Sequence, residues 1–117
     1  VTDILNHLKN QSSADELVKE IRKEDEPDVV SYLIAACWKN GLDYSAYIDD
    51  FIQAFIFFDY IIALDALTVI ENATRNLERA ATTTRINRLK QHMEQMEENK
   101  RVLVMELIHV LKNKVTQ

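Results

Sequence analysis

Apolar residues recur along the chain at steps of three and four, and short polar links separate the apolar stretches. This spacing puts apolar side chains on one face of an α-helix, so it predicts a series of amphipathic helices. The first helix is predicted over about Asp3–Lys9. Further helices are predicted to follow Ser13, Pro27, either Asp43 or Ser45, and Asp59.

Residues that end helices and form turns are scarce, because the 117-residue chain has one Gly and one Pro. Pro27 suits the first turn of a helix, and Gly41 suits a helix end because glycine adopts the left-handed conformation without strain. Asp59 is predicted to form a turn and to cap the helix after it. A β-sandwich or barrel needs many more turns. The pattern therefore predicts an all-α fold of one domain.

The helix after Ser45 is apolar nearly all round, and Phe51 and Phe55 are predicted to lie in the core. Such a helix has to be covered on several sides. Aromatic residues flank it, and aromatic residues are enriched in the cores of protein interfaces. Tyr44, Tyr47 and Phe58 are therefore candidates for an exposed aromatic patch that binds a partner.

An internal repeat relates two parts of the chain at an offset of 31 residues. The stretches EDEPDVVSYLIAACWKNG and FFDYIIALDALTVIEN carry the second helix of each copy, with an aspartate at the turn before it. The matched pairs are Leu17 with Ile48, Ile21 with Ile52, Asp28 with Asp59, Val30 with Ile61, Leu33 with Leu64 and Ala35 with Ala66.

These two stretches resemble the HEAT-like family of α-helical repeats, in which a tight turn, often with Asp and Pro at its edge, joins two helices. The resemblance covers about residues 14–75. It implies a short α-α superhelix of HEAT-like helix pairs over residues 1–75, capped by a long C-terminal helix over residues 76–117 within one structural domain. It also implies a shaped helical surface for another protein. An irregular helical bundle is the alternative.

The C-terminal part is predicted to form one long helix from about Thr84 to Lys114, which would span roughly 45 Å. Residues 74–84 either continue this helix or form a loose joint. A heptad pattern of apolar positions runs along the helix and is interrupted at Lys100. Its first part is a candidate seam with a sister chain, unless the whole helix folds back on its own domain. The candidate dimer seam consists of Ile86, Leu89, Met93 and Met96.

Charge is unevenly distributed, with 5 Lys or Arg against 14 Asp or Glu in residues 1–72, and 9 against 5 in residues 73–117. The two parts either pack on each other with complementary charge or meet a separate charged partner. Arg79, Arg85 and Arg88 belong to a basic cluster and are candidate contacts for a partner. The net charge of −5 argues against nucleic acid as that partner, since nucleic-acid-binding domains usually carry a stronger basic surface.

Candidate chemistry is sparse in the sequence. Glu106 and His109 share a helix face, but a carboxylate di-metal site needs a second such pair, which the sequence lacks. Cys37 lies in an apolar stretch without a catalytic companion, so it is predicted to be a buried small side chain. The sequence therefore predicts no catalytic residue, metal site or cofactor, and it argues against an enzyme.

The N-terminus lacks the basic start and apolar centre of a signal peptide, and no apolar run reaches the roughly 18 residues of a membrane span. One cysteine allows no internal disulfide, which favours a reducing compartment and hence the cytoplasm. The chain opens directly in a helical pattern, which raises the possibility that it is a piece of a longer protein.

The function expected from these observations is a non-enzymatic protein–protein interaction or scaffolding module whose partner the sequence does not identify. A structural homodimer built on the C-terminal helix is the alternative. Nucleic-acid binding and a metal-dependent enzyme are the remaining, weaker alternatives.

Overall fold

The structure, a computed structural model, describes residues 12–115, and the predicted helix over Asp3–Lys9 lies outside this range. Within residues 12–115 the only extended pairing is a single bridge between Leu77 and Val115, so the predicted all-α class is confirmed. One 3₁₀ turn, Ser45–Tyr47, precedes the third helix, and a second, Met93–Gln95, follows the fifth. The helices are α1 (Ser12–Lys23), α2 (Pro27–Lys39), α3 (Ile48–Phe57), α4 (Tyr60–Glu71), α5 (Arg79–His92) and α6 (Glu98–Asn113).

The helix ends follow from local sequence. Pro27 is the first residue of α2, where its missing N–H costs no helical hydrogen bond. Gly41 follows the end of α2 with a φ of 74°, the left-handed conformation that the sequence predicted for it. Asp59 caps α4, because its Oδ1 accepts a hydrogen bond from the backbone N–H of Ile62 at 3.1 Å. These predictions are confirmed.

The six helices form three consecutive hairpins in two layers. α1 packs on α2, α3 on α4, and α5 on α6. Neighbouring hairpins meet because α4 contacts both α2 and α6, and because α3 contacts α5. One layer therefore contains α1, α3 and α5, and the other contains α2, α4 and α6. This arrangement of helix pairs is consistent with a helical bundle or superhelix.

The core lies between the two layers. Phe51 and Phe55 of α3 are fully buried there, as predicted. Burying a side chain of this size stabilises the fold by about 1.5–3 kcal/mol, so α3 contributes strongly to stability. The apolar residues on the inner side of α4 and α6 complete the core, among them Ile62, Ile70 and Leu107.

The predicted continuous helix from about Thr84 to Lys114 is wrong, because the chain forms two helices there. A 3₁₀ turn over Met93–Gln95 separates α5 from α6. Met96 and Glu97 follow it with extended backbone, at ψ angles of 151° and 156°. The apolar spacing continues across this break because both helices turn their apolar side chains toward the same core.

Packing explains why the helix breaks. One continuous helix of roughly 45 Å would extend far beyond α3 and α4, the 10-residue and 12-residue helices on which α5 and α6 pack. The break folds the chain back so that α6 packs on α5 and α4, which buries the apolar side of both C-terminal helices. Arg101 stabilises the turn, because its Nε donates a hydrogen bond to the carbonyl oxygen of Met96 at 3.1 Å. Glu97 and Glu98 suit the positive N-terminal end of α6.

For residues 74–84 the sequence left two possibilities open, a loose joint or a continuing helix. The structure has a joint followed by a helix. An irregular connection reaches Glu78, and α5 begins at Arg79. α5 has only a weak apolar stripe, so tertiary contacts rather than its own pattern decide that it is helical.

Asp43 ties this connection to the preceding hairpin. Its Oδ1 accepts hydrogen bonds from the hydroxyl of Ser45 at 2.6 Å and from the backbone N–H of Thr74 at 3.1 Å. The Ser45 hydroxyl in turn accepts the N–H of Arg75 at 3.0 Å. Burial alone would raise the pKa of Asp43, but the hydrogen bonds from Ser45 and Thr74 outweigh burial and hold this pKa below its usual value.

Candidate interaction surface

Tyr44, a predicted member of the exposed aromatic patch, belongs to the core instead. It is fully buried, and its ring meets that of Phe51 edge to face at a centroid distance of 5.5 Å. Its hydroxyl accepts a hydrogen bond from Nδ2 of Asn40 at 3.0 Å, so the polar end of the side chain is satisfied inside the protein. The prediction that Tyr44 is exposed is therefore wrong.

Tyr47 and Phe58 do not form one patch either. Both are half-buried and pack against the core. Tyr47 precedes α3 and Phe58 follows it, so the ten residues of α3 lie between them. That length corresponds to roughly 15 Å at 1.5 Å per residue. The predicted aromatic patch is thus corrected to one core residue and two separate half-buried residues.

Two of the three arginines predicted to contact a partner are engaged within the chain. Nε and an NH2 group of Arg85 donate to the two carboxylate oxygens of Asp49 at 2.7 and 3.3 Å. Arg88 donates to the side-chain oxygen of Gln53. Both contacts join α5 to α3, so part of the uneven charge serves packing between the two halves of the chain. Arg79 is exposed at the start of α5.

The predicted dimer seam lies inside the chain's own core. Leu89 is fully buried, Ile86 and Met96 are buried, and Met93 is half-buried against the core. Side chains covered in this way within one chain are not available to a second copy. The seam is therefore corrected to internal core, which was the alternative that the heptad pattern left open.

Most of the large hydrophobic side chains that are exposed in residues 12–115 lie on the layer of α2, α4 and α6. Val102 is 69% exposed, Ile61 and Met105 are each 58% exposed, and Leu64 is 40% exposed. Among the large, exposed hydrophobic side chains of residues 12–115, Phe57 alone lies outside this layer. We call the surface the apolar face; its residues on α2, α4 and α6 are Val29, Tyr32, Trp38, Ile61, Leu64, Val102 and Met105.

Two lysines set the register of α6 against α4. At the start of α6, Nζ of Lys100 donates to the carbonyl oxygens of Ile56 and Phe58, both at 2.8 Å. After its end, Nζ of Lys114 donates to the carbonyl oxygens of Glu71 and Ala73, at 3.0 and 2.6 Å. α6 therefore runs in the same direction as α4, with its start near the start of α4 and its end near the end of α4.

This register aligns exposed apolar side chains on the two helices. With equal rise per residue, Val102 lies close to the level of Ile61, and Met105 lies close to the level of Leu64. The four exposed side chains therefore lie at similar levels along two helices that contact each other. Grouped exposed apolar side chains are typical of binding surfaces.

The lysine at the start of α6 has an unusual environment for a cation. Lys100 is 8% exposed, and its Nζ lies 5.8 Å from the ring centre of Phe55. Burial lowers the pKa of Lys100, while the negative charges of Asp59 and Glu97 act in the opposite direction. Its ammonium group satisfies carbonyl oxygens at the C-terminal end of α3, where a cation is favourable.

The tryptophan of the apolar face, Trp38, lies where α2 meets α4. Trp38 is 39% exposed, and Nζ of Lys39 lies 5.6 Å from the centre of its ring. Burial raises the pKa of Asp65 on α4, although a hydrogen bond from Trp38 and the charge of Lys39 both oppose this change. The edge of the apolar face thus combines an aromatic ring with one acidic and one basic group.

The other candidate chemistry stays isolated. Burial raises the pKa of Cys37 to about 12, so its thiol is protonated at neutral pH. Glu106 and His109 are exposed on α6, and Nε2 of His109 lies 3.1 Å from Nδ2 of Asn113. No group of three or more His, Cys, Asp or Glu in residues 12–115 is close enough to hold a metal ion.

In the part of the chain that the structure describes, every helix is too short or too polar to cross a membrane. Comparisons with protein-family models, with curated proteins and with solved structures found no match to this chain.

Proposed function

We propose that this chain is a non-enzymatic protein–protein interaction module of the cytoplasm, built as a short HEAT-like array, and that it binds another protein through the apolar face. The observation that carries the proposal is the pair of apolar rows, Ile61 and Leu64 beside Val102 and Met105, left exposed on adjacent helices. Exposing such side chains to water is unfavourable, so a partner that covers them gains free energy on binding.

The composition of the apolar face supports this proposal. Tyr32, Trp38 and Met105 are residue types enriched in the cores of protein interfaces. The three consecutive hairpins support the HEAT-like interpretation, because stacked helix pairs display one helix of each pair on a common side. A partner would lie across α2, α4 and α6, with its apolar contact centred on α4.

The test uses a matched pair of variants of the full chain. In the face variant, Ile61→Asp is combined with Val102→Asp. The control is Phe57→Asp, which changes an equally apolar side chain, 59% exposed, that lies outside the apolar face. Each protein is immobilised and exposed to an extract of the cells that produce it, and the retained proteins are quantified by mass spectrometry. Any candidate is then purified and titrated against the same three proteins.

We expect a protein that binds the wild type and the Phe57→Asp control but not the face variant. Circular dichroism should show all three chains folded, because the substituted positions are exposed. If purified candidates bind all three proteins equally, the apolar face is not the interaction surface. Light scattering on the unbound chains adds a further outcome: a doubled mass that the face variant loses would identify the partner as a second copy.

A further inference from the structure

The contacts that hold α6 against α4 set an offset between the two helices. Nζ of Lys100 reaches the carbonyl oxygen of Phe58, 42 residues earlier, and Nζ of Lys114 reaches that of Ala73, 41 residues earlier. The two offsets agree although the contacts lie at opposite ends of α6. Because each helical residue rises by about 1.5 Å, a residue of α6 lies close to the level of the α4 residue about 41 positions before it.

The exposed apolar side chains of these two helices are symmetric about one level. Ile61 and Leu64 lie three residues apart on α4, and Val102 and Met105 lie three residues apart on α6. The midpoint of the first pair therefore lies close to the level of the midpoint of the second. A two-fold axis that crosses both helices there, at right angles to them, places Ile61 opposite Leu64 of a second copy. The same axis places Val102 opposite Met105 of that copy.

This axis also brings a hydrogen-bond donor opposite an acceptor at each end of the apolar centre. Glu98 and His109 are exposed and lie on the same side of α6 as Val102 and Met105, at steps of four, three and four residues. Both are equally far from the midpoint, so in an antiparallel pair Glu98 lies opposite His109 of the second copy. Nδ2 of Asn113, which can only donate, lies 3.1 Å from Nε2 of His109, so Nδ1 of His109 carries the hydrogen. Nδ1 can donate that hydrogen to the carboxylate of Glu98.

A second copy suits this surface because a two-fold contact requires a surface that complements itself. Apolar groups meet apolar groups on both helices, and donors meet acceptors at both ends of the α6 pair. The other charges on α6 do not have to be buried. Arg101 and Glu106 are exposed and lie about 70° around the helix from the centre of the stripe, where charged groups stay in water.

We propose that the apolar face binds a second copy of this chain, with α4 and α6 of each copy antiparallel to their counterparts about this two-fold axis. The four apolar side chains on α4 and α6 form the centre, and Glu98 pairs with His109 at each end. This pairing names the partner of the apolar face and so rests on the proposed function. Few side chains contribute from each copy, so we expect a weak dimer with a dissociation constant on the order of 10 μM.

Sedimentation velocity on the full chain, from about 1 to 500 μM, measures this association. The mass of the wild type should rise with concentration from that of the 13.6 kDa monomer toward twice that value. Val102→Asp should stay monomeric over the same range, because it places a carboxylate in the apolar centre. Phe57→Asp, which changes an exposed side chain outside the apolar face, should associate as the wild type does.

A charge exchange tests the antiparallel register. Glu98→Lys removes the acceptor opposite His109, and His109→Glu puts a second carboxylate opposite Glu98, so each variant alone should dimerise about three-fold more weakly or worse. In a mixture of the two variants, the new lysine lies opposite the new glutamate, and the other end keeps its original pair. The mixture should therefore associate about as tightly as the wild type. Glu78→Lys, at the start of α5 on the other layer, is the matched control and should change nothing.

The outcomes separate this pairing from the proposed function. A wild type that stays monomeric at every concentration, or a dimer that Val102→Asp does not weaken, overturns the pairing. A mixture that associates no more tightly than the separate variants overturns the antiparallel register. A monomeric wild type whose purified partner from the extract is lost by the face variant also overturns the pairing, but it leaves the proposed function standing with a different protein as occupant. Only partners that bind the face variant and the wild type equally overturn the proposed function.

Discussion

The two layers of helices present opposite kinds of surface to solvent. In the layer of α1, α3 and α5, neighbouring helices are joined by ionic contacts: Arg22 bonds both carboxylate oxygens of Asp50 at 2.7 and 2.9 Å, and Arg85 bonds Asp49. In the layer of α2, α4 and α6, the outer surface carries exposed apolar side chains. Apart from Phe57, the large hydrophobic side chains that are exposed in residues 12–115 therefore lie on only one of the two layers.

This difference supports the proposed binding role of the apolar face. An ion pair between adjacent helices is complete within the chain and gives little to a partner. Exposed rows such as Ile61 with Val102 have no comparable contact within the chain and gain from being covered. The layer of α2, α4 and α6 is thus the side on which binding has the most to gain.

The largest expected effect compares the core with the apolar face by placing the same charge in each. Leu89→Asp puts a carboxylate where no part of the side chain is exposed, so this variant should unfold. Val102→Asp places it where the side chain is 69% exposed and should leave stability nearly unchanged. Far-UV circular dichroism and chemical denaturation check both.

The milder variant Leu89→Ala allows the loss of stability at this core position to be measured. Truncating a buried leucine costs about 2–5 kcal/mol in free energy of unfolding. If Leu89→Asp remained folded and only changed the solution mass from dimer to monomer, Leu89 would belong to an intermolecular seam after all, and the assignment of both layers would need revision.

The next effect concerns Lys100 and Lys114, which hold the start and the end of α6 against the rest of the molecule. Lys100→Met keeps most of the side-chain volume but leaves the carbonyl oxygens of Ile56 and Phe58 without their donor, at a cost of about 2–3 kcal/mol. Lys114→Met should cost about 1 kcal/mol or less, because Lys114 is only half-buried and water can replace its ammonium group.

Urea denaturation of both lysine variants measures this difference. Equal losses for the two variants would show that burial does not distinguish the two lysine contacts. A loss larger for Lys114→Met than for Lys100→Met would show that α6 is held mainly at its C-terminal end.

Much of the fold was predictable because it depends on local patterns. Pro27, Gly41 and Asp59 each mark a helix boundary through their own backbone or side-chain chemistry, and the structure has them in those roles. The break before α6 was not predictable in this way. No Gly or Pro marks it, and the heptad pattern continues across it; only the need to pack both helices on one core ends the helix.

The candidate surface was harder to predict, because helical spacing does not say which apolar side is covered. α4 is apolar nearly all round, so Ile61 and Ile62 look alike in sequence although one is exposed and the other buried. Val102 and Met105 lie off the heptad stripe, and this position was the one sign in the sequence that their side chains are exposed. Lys100 lies on the heptad stripe itself. A charged residue at such a position indicated an unusual contact, but the spacing did not identify the carbonyl oxygens to which Lys100 donates.

The smallest expected effect tests whether the ion pairs of the α1, α3 and α5 layer matter for stability at all. A double-mutant cycle with Arg85→Ala and Asp49→Ala should give a coupling energy below about 1 kcal/mol, because the Asp49 side chain is 68% exposed. The coupling should fall further at high salt, where the charges are screened. The Arg22 and Asp50 pair, which makes two short contacts, should couple somewhat more strongly. Couplings of several kcal/mol would mean that these pairs hold the hairpins together. Small couplings would leave them the narrower role of aligning neighbouring helices, with the core between the layers carrying the stability.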